Sequence, residues 1–338
     1  MKVIKVKASK NYQITVDSGY QNFTASVTPF IKGDKVAIIS DTNVAPLYLE
    51  KVKSLLSDKQ VYTFIIKAGE NSKNAENYIS LVNQLAKARL SRKSTIIGLG
   101  GGVVGDLSAF IASTYMRGIS YVAIPTSLLS MVDSSVGGKT AIDLDEGKNL
   151  LGTFYQPDAV YINLDYIKTL PSREITSGLG EIMKYVFLSD KITPSDFENI
   201  NYENLIVKSL EIKKEIVERD EKESGDRMLL NFGHTVGHAI EKLSSYKLSH
   251  GECVIKGMYY AVKSSYRLGF MAEEDKNKAL DFLKLSGVSE CEDYQAEQIL
   301  SVMKLDKKAD GDLVNFVFTK GFNSPIIKKV PLKSVLES

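Results

Sequence analysis

Apolar and polar residues follow two different rhythms along this chain of 338 residues. In the first half, short apolar runs alternate with amphipathic stretches. Residues 3–6, 13–16, 36–40 (VAIIS), 62–66, 94–99 (STIIGL) and 121–124 predict strands, and 47–56, 75–88 and 103–113 predict helices. Strands of this kind alternating with helices predict a parallel α/β sheet, because parallel neighbours need a crossover and a helix usually supplies it. The rhythm changes near residues 165–175, where Pro171 and Ser172 stand at a helix start. From there the spacing predicts helices over 172–188, 202–219, 227–243, 252–268, 274–286 and 295–303, then short strands over 313–319 and 326–330. The pattern thus predicts an α/β domain over residues 1–165 and a mainly α-helical domain over residues 166–338. No repeat or low-complexity linker parts them, so a ligand cleft between them is expected.

Composition narrows the class. Hydrophobic residues make up 43% and charged residues 25%, which fits a chain with a packed core and not a disordered one. Lys plus Arg is 43 against 41 Asp plus Glu, so no broad basic field calls for nucleic acid or a membrane surface. No apolar run reaches the length of a membrane span, and the first residues lack the apolar core of a signal peptide. Cys253 and Cys291 lie far apart, with no metal or redox spacing, which fits free thiols in a reducing cytoplasm.

Glycine turns carry the first chemistry. Gly100-Gly101-Gly102-Val103-Val104-Gly105 matches G-x-G-x-x-G between a strand and a helix, where backbone N–H groups attract phosphate. The first domain is therefore expected to be a Rossmann-like nucleotide-binding domain. The motif lies near residue 100, and no acid follows a new strand about 20 positions on, as a ribose contact would require. Asp41, at the end of an earlier strand, could serve instead, although capping a turn is the commoner role for such a residue. Gly137-Gly138-Lys139-Thr140 ends like a P-loop but Asp133 stands where its first glycine belongs, which disfavours a nucleoside triphosphatase.

All three histidines fall between residues 234 and 250. On a helix over 227–243, Arg227, Asn231, His234 and His238 share one face. The other faces carry Leu229, Leu230, Phe232, Val236 and Ile240, so this polar stripe belongs to a buried helix and needs partners. His250 precedes the next helix, and Glu181 sits three residues before Lys184. Two histidines and a carboxylate form a catalytic zinc set, with His234 and His238 as the simplest helical pair. The cations Arg117, Lys139, Lys148, Lys184, Lys213, Arg227 and Lys307 flank these motifs, and several together would suit a small molecule bearing phosphate and carboxylate.

These segments resemble one family. Asp41-Thr42-Asn43-Val44, Gly100 to Asp106, Pro125-Thr126-Ser127-Leu128-Leu129, Asp133 to Lys139, Gly147-Lys148-Asn149, Gly180 to Lys184, Arg227 to His238, His250-Gly251-Glu252 and Asp306-Lys307-Lys308 are similar to the 3-dehydroquinate synthases of the sugar-phosphate cyclase superfamily, in the same order. The resemblance implies a lyase dependent on NAD and on zinc, or alternatively cobalt. It would convert 3-deoxy-D-arabino-heptulosonate 7-phosphate, a phosphorylated keto-acid sugar, to 3-dehydroquinate and phosphate. The implied steps are transient oxidation at C5, β-elimination of phosphate, re-reduction, ring opening and an intramolecular aldol closure.

The resemblance points to Glu181, His234 and His250 as metal ligands, with His238 beside them. It assigns NAD to Asp41, Asn43, Glu70, Lys73, Gly101, Gly102, Val103, Asp106, Thr126, Ser127, Lys139, Lys148 and Thr169. Substrate would meet Asp133, Lys139, Asn149, Lys184, Lys213, Arg227, Asn231, His238 and Lys307, the last next to Lys308. Arg117 would reach the neighbouring subunit's site, implying a homodimer. One departure is Gly180-Glu181, where relatives often have Ala-Glu. Related cyclases, a polyol dehydrogenase of similar fold and a structural metal-binding protein are the rival readings. The cations suited to a carboxylate favour the dehydroquinate reaction.

Overall fold

The computed structural model describes residues 1–290, 294–306 and 313–336. Internal packing divides the chain into two units: Met1–Leu170 together with Lys213–Glu221, and Pro171–Ile212 together with Lys222–Ser338. One later segment, Lys213–Glu221, thus packs with the first unit.

The first unit holds β1 (Lys2–Val6), β2 (Tyr12–Asp17), α1 (Phe23–Val27), β3 (Lys35–Asp41), α2 (Ala45–Ser54), β4 (Gln60–Ile66), α3 (Ala75–Lys87), β5 (Thr95–Gly100), α4 (Gly102–Thr114), β6 (Ser120–Pro125), β7 (Lys139–Leu144), β8 (Gly147–Phe154) and β9 (Ala159–Asn163). Seven strands form one sheet in the order β1-β2-β9-β6-β5-β3-β4. Only β1 and β2 pair antiparallel; the other neighbours are parallel, with Val36 opposite Thr95 and Thr95 opposite Ser120. The central strands are apolar throughout because helices cover both faces of such a sheet, and Val36, Ile38, Ile97 and Val122 are fully buried. This is the expected Rossmann-like α/β arrangement. A separate antiparallel hairpin, β7–β8, and the strand β9 were not legible in the hydrophobic pattern.

The second unit holds α5 (Ser172–Leu188), most of α6 (Tyr202–Arg219), α7 (His234–Leu243), α8 (His250–Arg267), α9 (Glu273–Lys284), α10 (Ala296–Asp306), β10 (Leu313–Thr319) and β11 (Pro325–Pro331). Helix α8 is its axis, packing against α5, α7, α9 and β10 through Val254, Ile255, Met258 and Val262. Strands β10 and β11 close an antiparallel hairpin. One sequence expectation is corrected here. Residues 227–243 are not a single helix: a 3-10 turn over Asp226–Asn231 breaks at Phe232–Gly233 before α7 begins. Gly233 takes φ +79°, and a Cβ there would meet the Val254 carbonyl oxygen at 2.7 Å, so the break is packed tightly onto α8. Among the described residues no helix is long and apolar enough to cross a membrane.

Candidate active site

Three helices of the second unit converge on a cluster of carboxylate and imidazole side chains. Glu181 comes from mid-α5, His234 from the first residue of α7 and His250 from the first residue of α8. Ser249 caps α8 in a capping box with Glu252, which fixes where that helix starts. Helices α5 and α8 approach closely because glycine faces glycine. A Cβ on Gly251 would lie 2.0 Å from the Ser177 carbonyl oxygen, and one on Gly180 would lie 2.6 Å from that of Gly251. Gly180, the departure noted in the sequence, is therefore a packing requirement of this chain.

Glu181 is 1% exposed. Its Oε1 lies 3.2 Å from His234 Nε2 and 3.3 Å from His250 Nε2, while Oε2 pairs with Lys184 Nζ. The far ring nitrogens fix the tautomers. His234 Nδ1 is 3.1 Å from the Phe232 carbonyl oxygen, and His250 Nδ1 is 3.4 Å from Glu241 Oε2. Both partners are acceptors, so both Nδ1 atoms donate. In the neutral rings each Nε2 then turns a lone pair toward Oε1, which is buried without a regular hydrogen bond. Three electron-pair donors facing one another, two of them oriented from behind, fit a divalent cation.

The electrostatics show how strongly this centre draws positive charge, whether from a cation or from a proton on an imidazole. Burial opposes the Glu181 anion, but Lys184 and His234 hold its carboxyl well below the usual range. Burial likewise opposes charge on His250, but pairing with Glu181 and Glu241 outweighs it and raises the ring to about 10. The centre favours positive charge. His238 completes the cluster, its ligand nitrogen lying with those of His234 and His250 within 4.8 Å of one another. Desolvation, then repulsion from His234 and His250, pushes it down to about 3, so it is neutral. Glu181 touches His234 and His250, whereas the helical pair His234 and His238 share the centre side by side.

Close by in sequence, Arg227 is 1% exposed, and Asn231 Nδ2 donates to Glu223 Oε1 at 2.9 Å. Lys184 is equally buried. Glu223 and Glu241 escaped the sequence reading. Glu241 had a signal, since it follows His234 by seven residues on α7 and shares its face.

In the first unit β5 runs into Gly100, and Gly101 leads into α4, whose first turn has no side-chain cap. Neighbouring strand β3 ends at Asp41. Asp41 Oδ1 accepts the N–H groups of Asn43 and Val44 at 2.8 and 3.0 Å, so it caps the turn before α2. The glycine turn packs on the next loop: Thr126 N–H donates to the Gly100 carbonyl, and a Cβ on Gly101 or Gly102 would meet Ser127 or Ser134 at 3.3 or 3.4 Å. Gly100, Gly101, Ser130, Ser134, Gly138 and Lys139 line one cavity, which brings the two glycine turns together.

Lys73, 4% exposed, is the hub of a second cluster. Its Nζ lies 2.8 Å from Asn149 Oδ1, 3.1 Å from both Asp106 and Glu70, and 3.8 Å from Asp143. Burial opposes its charge, but these carboxylates win and raise its pKa. Burial drives Asp106 up to about 6, with Lys73 pulling the other way. Lys148 is 3.5 Å from Glu70. Lys213 Nζ binds Asp133 twice, at Oδ1 (2.9 Å) and at the carbonyl oxygen (2.6 Å). Asn43 and Arg117 are exposed, Val103 is half-buried, and Thr169 pairs with the Tyr48 hydroxyl. Lys307 and Lys308 lie outside the described residues.

Solved structures share this fold. The chain matches 2-deoxy-scyllo-inosose synthase, solved with carbaglucose-6-phosphate, NAD+ and Co2+, with a TM-score of 0.91 and 22% identity, covering 99% of this chain and 98% of the other. It matches ValA, the 2-epi-5-epi-valiolone synthase of Streptomyces hygroscopicus subsp. jinggangensis solved with NAD+ and Zn2+, with a TM-score of 0.87 and 22% identity, covering 98% and 96%. The chain shares the fold of these two synthases. Family models for the 3-dehydroquinate synthase N-terminal and C-terminal regions match residues 63–177 and 178–309. The 3-dehydroquinate synthase of Clostridium acetobutylicum is 41% identical, covering 98% of both chains. The chain belongs to the 3-dehydroquinate synthase family.

Proposed function

We propose that the protein converts 3-deoxy-D-arabino-heptulosonate 7-phosphate to 3-dehydroquinate and phosphate, as a phosphate-eliminating lyase of the shikimate pathway that serves aromatic amino acid synthesis. Family membership supports the reaction, and the observation that carries it to a site is the convergence of Glu181 Oε1 with the Nε2 atoms of His234 and His250. When bound, NAD accepts and returns a hydride at C5, and a divalent metal polarises the substrate's hydroxyl oxygens.

The chain's own residues hold and orient. Glu181, His234 and His250 would keep the metal, and two imidazoles with one carboxylate suit zinc, with cobalt as the alternative. Lys184, Lys213 and Arg227 are buried cations that would bind the anionic groups of the substrate and stabilise charge as phosphate departs. His238 is held neutral, so it would meet the substrate as a hydrogen-bonding group and not as a further cation. The uncapped first turn of α4 offers backbone N–H groups to a dinucleotide phosphate. The same reading includes a cytoplasmic homodimer in which Arg117, exposed on a left-handed backbone, reaches the partner's site.

The test is phosphate release from the heptulosonate phosphate, with catalytic NAD+ and Zn2+, while NADH absorbance is followed in the same cuvette. Phosphate over many turnovers without accumulating NADH, and 3-dehydroquinate as product, are the expected results. No phosphate from folded, metallated protein would overturn the substrate assignment. Steadily rising NADH with polyols would make it a dehydrogenase.

A further inference from the structure

We infer that Asp143 is a positioning residue of this enzyme: its carboxylate fixes the backbone of Asn149, and thereby the amide that Asn149 presents to the phosphate of the substrate. The inference rests on the proposed role of Asn149 as a substrate contact and adds a residue to it.

The β7–β8 hairpin is irregular at this point. Ile142 pairs with Leu151 but Leu144 pairs with Gly147, so Asp143 alone faces Lys148, Asn149 and Leu150. The extra residues bulge out of β8, and Asn149 sits at φ +57°, the left-handed region. A bulged residue loses its ladder partner, and its N–H needs another acceptor. Asp143 Oδ1 supplies it at 2.8 Å.

Asp143 is itself fixed from the other side. Its N–H donates to the Lys73 carbonyl oxygen at 2.8 Å, and it bridges Asn74. Lys73 closes the ring by donating from Nζ to Asn149 Oδ1 at 2.8 Å. Three segments are thus tied in a loop: Asp143 backbone to Lys73 backbone, Lys73 side chain to Asn149 side chain, Asn149 backbone to Asp143 side chain.

The ring has a chemical outcome. An ammonium only donates, so Lys73 determines which end of the Asn149 amide faces it. With Oδ1 taken, the group that exposed Asn149 offers outward is the Nδ2 donor, which suits a phosphate oxygen. Asp143 keeps that donor in place by holding the backbone from which it projects. It acts through Asn149, and its looser 3.8 Å approach to Lys73 is secondary.

The experiment compares Asp143→Ala, Asp143→Asn, Asn149→Ala and the Asp143→Ala/Asn149→Ala pair in steady-state kinetics on the holoenzyme. Inorganic phosphate serves as a competing product. Asp143→Ala is expected to raise KM for the heptulosonate phosphate, and the inhibition constant of phosphate, by about tenfold, with a smaller change in kcat. Asp143→Asn keeps an acceptor oxygen in place and is expected within about threefold of the parent. The double variant should be little worse than Asn149→Ala, because the two act in series.

If Asn149→Ala leaves KM unchanged, the assignment of Asn149 to substrate fails and the inference with it. If Asn149→Ala raises KM but Asp143→Ala does not, the inference alone is overturned. An Asp143→Asn variant as damaged as Asp143→Ala would also overturn it, since charge and not position would then matter. Metal content and melting temperature check folding. Asp143→Ser, polar but too short to reach the Asn149 N–H, gives the same split should the alanine variant not fold.

Discussion

Each imidazole at the metal-type centre has two nitrogens with separate duties, and the outer one decides what the inner one can do. Phe232 supplies a backbone carbonyl to His234, which no substitution at that position removes. Glu241 supplies a side chain to His250, which substitution does remove. Glu241→Ala is therefore expected to weaken metal binding by about 10–100-fold, measured by competition with a chromogenic chelator. Glu241→Gln retains an acceptor and should lose less. Equal affinity in all three proteins would show that His250 needs no orienting partner. The same logic marks what a sequence reveals about a site. Histidine and glycine announce themselves by rarity and spacing. Asp143 and Glu223 do not, because their roles arise from a bulge and a side-chain pairing that only the folded backbone creates.

At the scale of elements, α5 and α8 meet where neither has a side chain. Gly251→Ala would drive a methyl to 2.0 Å from the Ser177 carbonyl oxygen, a backbone atom that cannot rotate away. Overpacking of this kind costs about 1–3 kcal/mol, and here it also parts Glu181 from His250. The variant should show a lower denaturant midpoint together with weaker metal retention. A loss of stability with full metal affinity would mean that the helices shift as one body.

Other elements explain where sequence reading succeeded and stopped. Central strands such as β3 and β5 were legible because a buried parallel strand is apolar on both faces. Strand β8 was not, because from residue 149 onward its residues are exposed and do not alternate. The break at Phe232–Gly233 was hidden because Arg227, Asn231, His234 and His238 keep helical spacing across it. A glycine inside such a stretch reads as tolerated until its positive φ is known.

For the whole molecule, the segment Lys213–Glu221 matters beyond its length. It packs with the α/β unit, where Glu218 accepts from the Lys7 N–H, Glu221 accepts from Ser9 and Gln156, and Lys213 binds Asp133. Hydrophobic rhythm does not encode such a return, because the polar contacts that mark it join positions far apart in sequence. The same unit carries an acid-sensitive tie. Asp158 Oδ2 accepts from Ser120 Oγ and the Tyr121 N–H and pairs with Lys10. Burial opposes its charge, but these contacts hold its carboxyl below the usual range. Its contribution is complete above the unfolded value of about 4 and is lost as pH falls through the lower folded value. Asp158→Asn should therefore lower stability near neutrality and flatten the decline below about pH 4, as read from denaturation midpoints across that range. A parallel decline in both proteins would remove Asp158 from the acid response. The contact of Gly180 with Gly251 also sets how far apart two of the helices behind the centre stand. Neither position can gain a side chain while the other helix stays where it is. A chain with alanine in place of Gly180 would have to set α5 and α8 slightly further apart, and the gap between Glu181 and His250 would widen with them.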